Sequence, residues 1–226
     1  MRGTFSMHEI CPHCGAELKR MPIDLFGKTR DVFCYGSCGC SESQWDGVYV
    51  PDGMRLYAEA GIPRRYLSAE ADLGDMPQRV ASGMSLYIHG TFGSGKTRYA
   101  CALLKAIVDM GVSARFENSK HLISEIQGTY SGKWSNALDR AYGCKVLVLD
   151  DIGKEQCTEY SISMLYELID ARYSDAKPIV TTSNFSRGEL LSRLAAKDAA
   201  TAESIVSRLC ENAETLYFGG ADRRLA

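Results

Sequence analysis

The chain lacks any run approaching the roughly 18 consecutive apolar residues a membrane helix requires, which argues against a spanning segment. Its opening residues, MRGTFSMHEICPHCG, lack the apolar core of a secretory signal, so a cytosolic protein with reduced thiols is expected. Charge excess is missing too. Lys and Arg number 26 against 28 Asp and Glu, a formal net charge of −2. That balance gives no global electrostatic case for nucleic-acid binding, and any such contact would need a local basic patch. No internal repeat and no low-complexity tract is present.

What is there reads as globular. The 226 residues, 45% apolar and 24% charged, suffice for one full α/β domain and a small appendage. Three segments follow from the patterning: a Cys- and Gly-rich stretch over 1–45, a linker with a short helix near Met54–Ala60 over 46–80, and an alternating strand–helix region over 81–226. Strands are predicted at 84–89, 112–117, 145–150, 177–182 and 214–218. Between them, helices are predicted over 96–110, with Gly111 as its stop, and over 158–174. A capping box, Ser186 with Glu189, opens another at RGELLSRLAA. The alternation predicts a mostly parallel sheet with helices on both faces.

Gly90-Thr91-Phe92-Gly93-Ser94-Gly95-Lys96-Thr97 matches G-x-x-x-x-G-K-[ST] in full, after a predicted strand and before a predicted helix. Glycines let backbone N–H groups curl round a β-phosphate, and the helix N-terminus adds a favourable dipole. Lys96 would reach the β- and γ-phosphates, and the Thr97 hydroxyl would ligate Mg²⁺. Downstream, KVLVLDDIG carries an apolar run that ends in Asp150 and Asp151. Such a run suits a strand buried on both faces, delivering acids to the edge where ligands bind in open α/β sheets. Asp150 would hold Mg²⁺ through water, and Asp151 would polarise the attacking water. PIVTTSN then brings Asn184 to the same edge, where it could hydrogen-bond the γ-phosphate or the lytic water.

These signals, in this order, resemble the AAA+ ATPases of the DnaC/IstB type, which comprise replicative-helicase loaders and transposition helper ATPases. The resemblance covers about residues 55–224. AGIPRRYL is similar to the family's opening segment, GTFGSGKTRYA to its Walker A and VLVLDDIG to its Walker B. TTSNFSRGELLSRL is similar to the sensor 1 region, and ESIVSRLCENAETLYFGGADRR to the segment with the arginine finger and closing basic pair. It implies a P-loop NTPase fold, ATP and Mg²⁺ as cofactors, and homo-oligomers on ATP binding. Arg208 would reach into a neighbouring subunit's nucleotide, and Arg223 or Arg224 would sense phosphate in cis. Two departures stand out. Arg98, counted with the nucleotide-binding segment, stands where many relatives carry histidine and receives no role of its own. The acid pair is Asp-Asp where Asp-Glu is commoner, and a shorter base at 151 predicts slow, switch-like hydrolysis.

Five of the nine cysteines fall within the first 40 residues, and in a reducing compartment such clustering points to metal. Cys11 and Cys14 form a knuckle, and Cys34, Cys38 and Cys40 offer the return half of a tetrahedral Zn²⁺ site. Spacing leaves Cys34 open. The Cys-x-Cys return common in helicase loaders favours Cys11, Cys14, Cys38 and Cys40. Metal would supply most of the folding energy of so short a segment. Cys101, Cys144, Cys157 and Cys210 read as small core residues. In YSGKWSNALDR, a predicted loop, Trp134 reads first as a core anchor. The alternative is stacking of Tyr130 or Trp134 on a single-stranded base beside Lys133.

The expectation is an ATP-dependent replicative helicase loader that engages single-stranded DNA and grips the helicase through the cysteine-rich segment. A transposition helper ATPase, binding duplex DNA and a transposase, is the alternative within the fold. A small-molecule kinase would need an acceptor pocket with an arginine-rich lid, which the sequence does not show.

Overall fold

The computed structural model describes residues 16, 20–25, 28–33, 52–130, 135–155 and 157–220. The chain divides into two compact units, Met1–Glu59 and Ala60–Ala226. In the first, β1 (Arg20–Leu25) and β2 (Lys28–Phe33) pair antiparallel, Arg20 opposite Phe33 and Leu25 opposite Lys28, and α1 spans Asp52–Glu59. Cys11, Cys14, Cys34, Cys38 and Cys40, the expected zinc ligands, lie outside the described residues. So do Lys133, Trp134, Arg223 and Arg224.

The second unit runs through a 3₁₀ turn at Arg64–Tyr66, then α2 (Met76–Ala81), β3 (Ser85–Gly90), α3 (Lys96–Asp109), β4 (Ala114–Asn118), α4 (Ser119–Tyr130) and α5 (Ala137–Gly143). It continues with β5 (Val146–Ile152), α6 (Glu159–Ser174), β6 (Ile179–Ser183), α7 (Arg187–Ala195), α8 (Ala199–Cys210) and β7 (Ala213–Phe218). Five parallel strands form one sheet in the order β4-β5-β6-β3-β7, the α/β fold that the alternation predicts.

β5 shows why. Val146 to Leu149 are fully buried, since the strand is covered on both faces. On one face Tyr87, Leu147, Leu149 and Ile179 enter a core completed by Leu122, Ile126, Leu165, Ile169, Leu190 and Ile205 from α4, α6, α7 and α8. Alternate strand residues, among them Leu86, Ile88, Val148 and Val180, are buried opposite, where α3 packs with Leu103, Leu104 and Ile107. Each such side chain contributes roughly 1.5–3 kcal/mol on burial.

Helix ends follow local chemistry. Ser186 accepts from the Glu189 N–H while Glu189 accepts from the Ser186 N–H, closing the capping box predicted for α7. Thr158 and Ser161 do the same for α6. One polar side chain is built into this architecture. Arg172, 1% exposed, donates to the carbonyls of Ala141, Cys144, Lys145 and Pro178 at 2.7–3.0 Å. It ties the end of α5 to the starts of β5 and β6, so that one buried guanidinium is satisfied by four backbone carbonyls.

Two elements depart from the expectation. The segment over 130–140, read as a loop, is helical at both ends, because Tyr130 closes α4 and Ala137 opens α5. Asn136 and Ala137 begin a turn whose Ala137 and Ala141 are buried, and that burial overrides weak local periodicity. The connector before residue 84 holds α2, with Pro77 in its first turn, where a missing N–H costs nothing.

Candidate nucleotide site

The loop between β3 and α3 has the shape its glycines permit. Gly95 takes φ 102° as α3 begins, a conformation L side chains rarely adopt. Gly90 is fixed by crowding. A Cβ there would lie 2.0 Å from the Phe218 carbonyl oxygen, because the loop leaves β3 pressed against β7. Thr91 N–H donates to that same carbonyl at 3.0 Å. Lys96, 6% exposed, folds back so that Nζ donates to the carbonyls of Gly90 and Thr91 at 2.9 and 2.7 Å.

Two strands away, β5 ends in the paired acids. Leu149 aligns with Thr181 and Ile152 with Ser183, so β5 carries one more residue than β6 across the interval. This bulge places Asp151 at φ 60° and re-aims consecutive side chains, as bulges near functional sites do. β6 lies between the two loops and links them. Asp151 N–H donates to Thr182 Oγ1 at 2.9 Å, and Thr182 Oγ1 donates to Asp150 Oδ1 at 2.7 Å. Thr97 Oγ1 donates to the same Oδ1 at 2.8 Å. Burial pushes the Asp150 carboxyl above the usual carboxylate range, and the nearby Asp151 charge adds to that. The hydroxyls of Thr182 and Thr97 and the Asn118 side chain oppose it. Hard oxygen donors on an elevated, buried carboxylate fit Mg²⁺, with Thr97 and Asp150 as the residues that would hold it.

The turn after the acids is braced by a residue the sequence reading missed. Glu155 is 3% exposed, and its carboxylate accepts from Gly153 N–H at 3.0 Å and from Ser119 Oγ at 2.8 Å. Ser119 Oγ also lies 3.1 Å from the Asp151 carbonyl oxygen, and Arg193 Nε donates to the Gly153 carbonyl. An acid four residues past Asp151 gives no pattern of its own, and only the fold shows it turned inward. Between these anchors, Lys154 points out and pairs with Asp151 Oδ2 at 2.8 Å.

One cleft of about 260 Å³ gathers Phe92 to Arg98 with Asp151, Lys154 and Asn184. Asn184 Nδ2 is buried with no acceptor. The cleft is also lined by Arg65, Tyr66, Ser68 and Ala69, from the segment GIPRRYLSA, with the Arg65 guanidinium 5.0 Å from the Tyr66 ring centre. In sequence Arg64 and Arg65 look like an ordinary solvated pair. Arg208 does not join this cleft. It lines a separate groove with Ser85 and Ile179, the first residues of β3 and β6. There its Nε lies 2.7 Å from Asp170 Oδ1, an ion pair without hydrogen-bond alignment, and its guanidinium stands 5.2 and 5.6 Å from the rings of Tyr166 and Tyr173. His89 packs between the rings of Tyr87 and Tyr217, and Cys101 and Cys144 are buried while Cys157 and Cys210 are half-buried. Among the described residues no group of three or more His, Cys, Asp or Glu could hold a metal. None of their helices is long and apolar enough to cross a membrane.

Comparison with known proteins gives this geometry a context. The profile of the IstB-like ATP binding proteins matches residues 77–226. An insertion-sequence ATP-binding protein of Mycobacterium tuberculosis is 29% identical over 144 residues, covering 63% of this chain and 57% of that protein. The replicative helicase loader DnaI of Bacillus subtilis is 26% identical over 149 residues, 63% of this chain and 48% of that one. Among solved structures, the DnaC helicase loader superposes with a TM-score of 0.59 at 27% identity, over 69% of this chain and 99% of that one. DnaI superposes with a TM-score of 0.60 at 27% identity, over 72% and 94%. The match to the two curated relatives spans 57% and 48% of their lengths.

Proposed function

Because the chain belongs to the family of IstB-like ATP binding proteins, we propose that it hydrolyses ATP with Mg²⁺ to time the loading of a replicative DNA helicase onto single-stranded DNA. The observation that carries the ATPase reading is the convergence of the phosphate loop, Asp151 and Asn184 on one cleft. Mg²⁺, when bound, would neutralise charge on the β- and γ-phosphates. Lys96 would exchange the Gly90 and Thr91 carbonyls for phosphate oxygens. Asn184 would give its unpaired Nδ2–H to the γ-phosphate or the water. Asp151 would take a proton from that water as its oxygen attacks the γ-phosphorus and the bond to the bridging oxygen breaks, leaving ADP and phosphate. Tyr66 and Arg65 would face the base.

The loader reading draws on the likeness to DnaC and DnaI and on the cysteine pattern, whose four thiolates would take one Zn²⁺ and form the helicase-gripping segment. The likeness to insertion-sequence ATP-binding proteins favours a second reading, a transposition helper that binds duplex DNA. Measuring ATP turnover with single-stranded and duplex DNA, beside a pull-down with the host's replicative helicase, separates them. A loader is stimulated by single strands and retains the helicase. Duplex-only stimulation without helicase capture overturns it.

A further inference from the structure

We propose that Lys154 distinguishes a nucleoside triphosphate from a diphosphate, leaving Asp151 for the terminal phosphate and thereby releasing that carboxylate for the attacking water. The proposal rests on the reading of the cleft as an ATP site. Three observations carry it. Lys154 lines the cleft together with Lys96, Thr97 and Asn184, yet lies outside the phosphate-loop motif. Its ammonium bridges the mouth, 2.8 Å from Asp151 Oδ2 on one side and 5.4 Å from the centre of the Phe92 ring, in the phosphate loop, on the other. The backbone beneath it is pinned. Glu155 accepts from Gly153 N–H and Ser119 Oγ, Arg193 donates to the Gly153 carbonyl, and Asp151 N–H donates to Thr182 Oγ1. Asp151 therefore stays in place while the four-carbon lysine stem is free to swing.

The exchange is energetically mild. The Lys154 and Asp151 side chains are 39% and 25% exposed, and a pair this open to solvent is weak. A γ-phosphate placed between Lys96 and the acids offers more negative charge in a more enclosed setting, and a charge-assisted bond to it is the stronger of the two. A diphosphate ends short of this mouth. Lys154 then keeps its pairing and Asp151 stays engaged, which couples recognition of the third phosphate to availability of the base.

The test titrates fluorescent N-methylanthraniloyl ATP and ADP, with Mg²⁺, into the full chain and into Lys154→Ala, Lys154→Arg, Asp151→Asn and the Lys154→Ala/Asp151→Asn pair. Lys154→Ala should lose about tenfold in affinity for the triphosphate, while diphosphate affinity stays within about twofold. Lys154→Arg should restore the preference. Asp151→Asn should raise it by freeing the lysine, and the double variant should lose that gain. Equal losses for both nucleotides, or none, would overturn the proposal, since a lysine that serves only the turn would not move the ratio. Lys96→Ala keeps the two levels apart. If that variant still binds both nucleotides as the parent does, the ATP-site reading itself fails.

Discussion

Thr97 in the first turn of α3 and Asp150 near the end of β5 are joined side chain to side chain, Oγ1 to Oδ1 at 2.8 Å, although 53 residues separate them. Both oxygens belong to the proposed metal site, so the bond holds the two Mg²⁺ ligands at working distance. Thr97→Val keeps the shape and removes the hydroxyl. It should weaken Mg²⁺-dependent ATP binding by about 10–100-fold and leave binding in EDTA nearly unchanged, whereas Thr97→Ser should retain both. Calorimetric titration with and without chelator checks this, and a Thr97→Val protein that still gains affinity on adding Mg²⁺ contradicts it.

The same carboxylate predicts a conflict between stability and function. Burial raises the Asp150 pKa in the folded state above its unfolded value, so the folded protein binds that proton more tightly. Between the two values the folded state holds more protons, and stability falls as pH rises through the raised value. At neutral pH the charge is therefore a cost. Asp150→Asn keeps an acceptor for Thr97 and Thr182. It should stabilise the nucleotide-free protein at pH 7 and raise its Tm. That gain should vanish in acid, and Mg²⁺-dependent ATP binding should be lost with the carboxylate. Thermal unfolding across pH 5–8 reads the first claim; a variant less stable than the parent throughout would contradict it.

Much of this site is legible in the sequence because its signals are local. The phosphate loop spans eight residues, and VLVLDD writes strand and acids together. Their convergence with Asn184 follows from strand order alone, since β3, β6 and β5 are neighbours. Three features are not legible, each for a physical reason. Thr182 joins Asp150 to Asp151 only because a bulge brings β5 one residue out of step with β6. Glu155 resembles any turn acid until its carboxylate is seen to close on Gly153 and Ser119. Arg65 and Tyr66 lie about 25 residues before the loop with which they share the cleft, with no periodicity to mark them.

The placement of Tyr66 yields a contrast with the phosphate end. Its ring lines the cleft, with the Arg65 guanidinium 5.0 Å from its centre. Stacking between an aromatic ring and a nucleobase is worth about 1–3 kcal/mol. Tyr66→Ala should therefore reduce ATP and ADP affinity together by about tenfold or more, while Tyr66→Phe should bind as the parent. The ratio of the two affinities should stay fixed, unlike that of Lys154→Ala. A selective loss of one nucleotide would place Tyr66 at the phosphates instead.

Arg208 lies where it cannot serve its own chain's nucleotide. Its groove opens at Ser85 and Ile179, the first residues of β3 and β6, whereas the phosphate loop follows Gly90 at the other end of β3. Five steps along a strand, at about 3.3 Å each, set the two ends roughly 17 Å apart. If Arg208 contributes to hydrolysis, it does so in a neighbour. Arg208→Ala should then bind ATP normally and lose DNA-stimulated turnover. Lys96→Ala should bind no nucleotide but still carry the arginine. Mixing the two inactive variants should return turnover, because subunits with an intact phosphate loop receive an arginine from the other variant. Loss of the Asp170 ion pair could also lower stability, so unfolding temperatures of both variants belong beside the assay. If the mixture shows only the sum of the two residual rates while both variants remain folded, Arg208 is no intersubunit residue, and its ion pair and tyrosine contacts are its whole role.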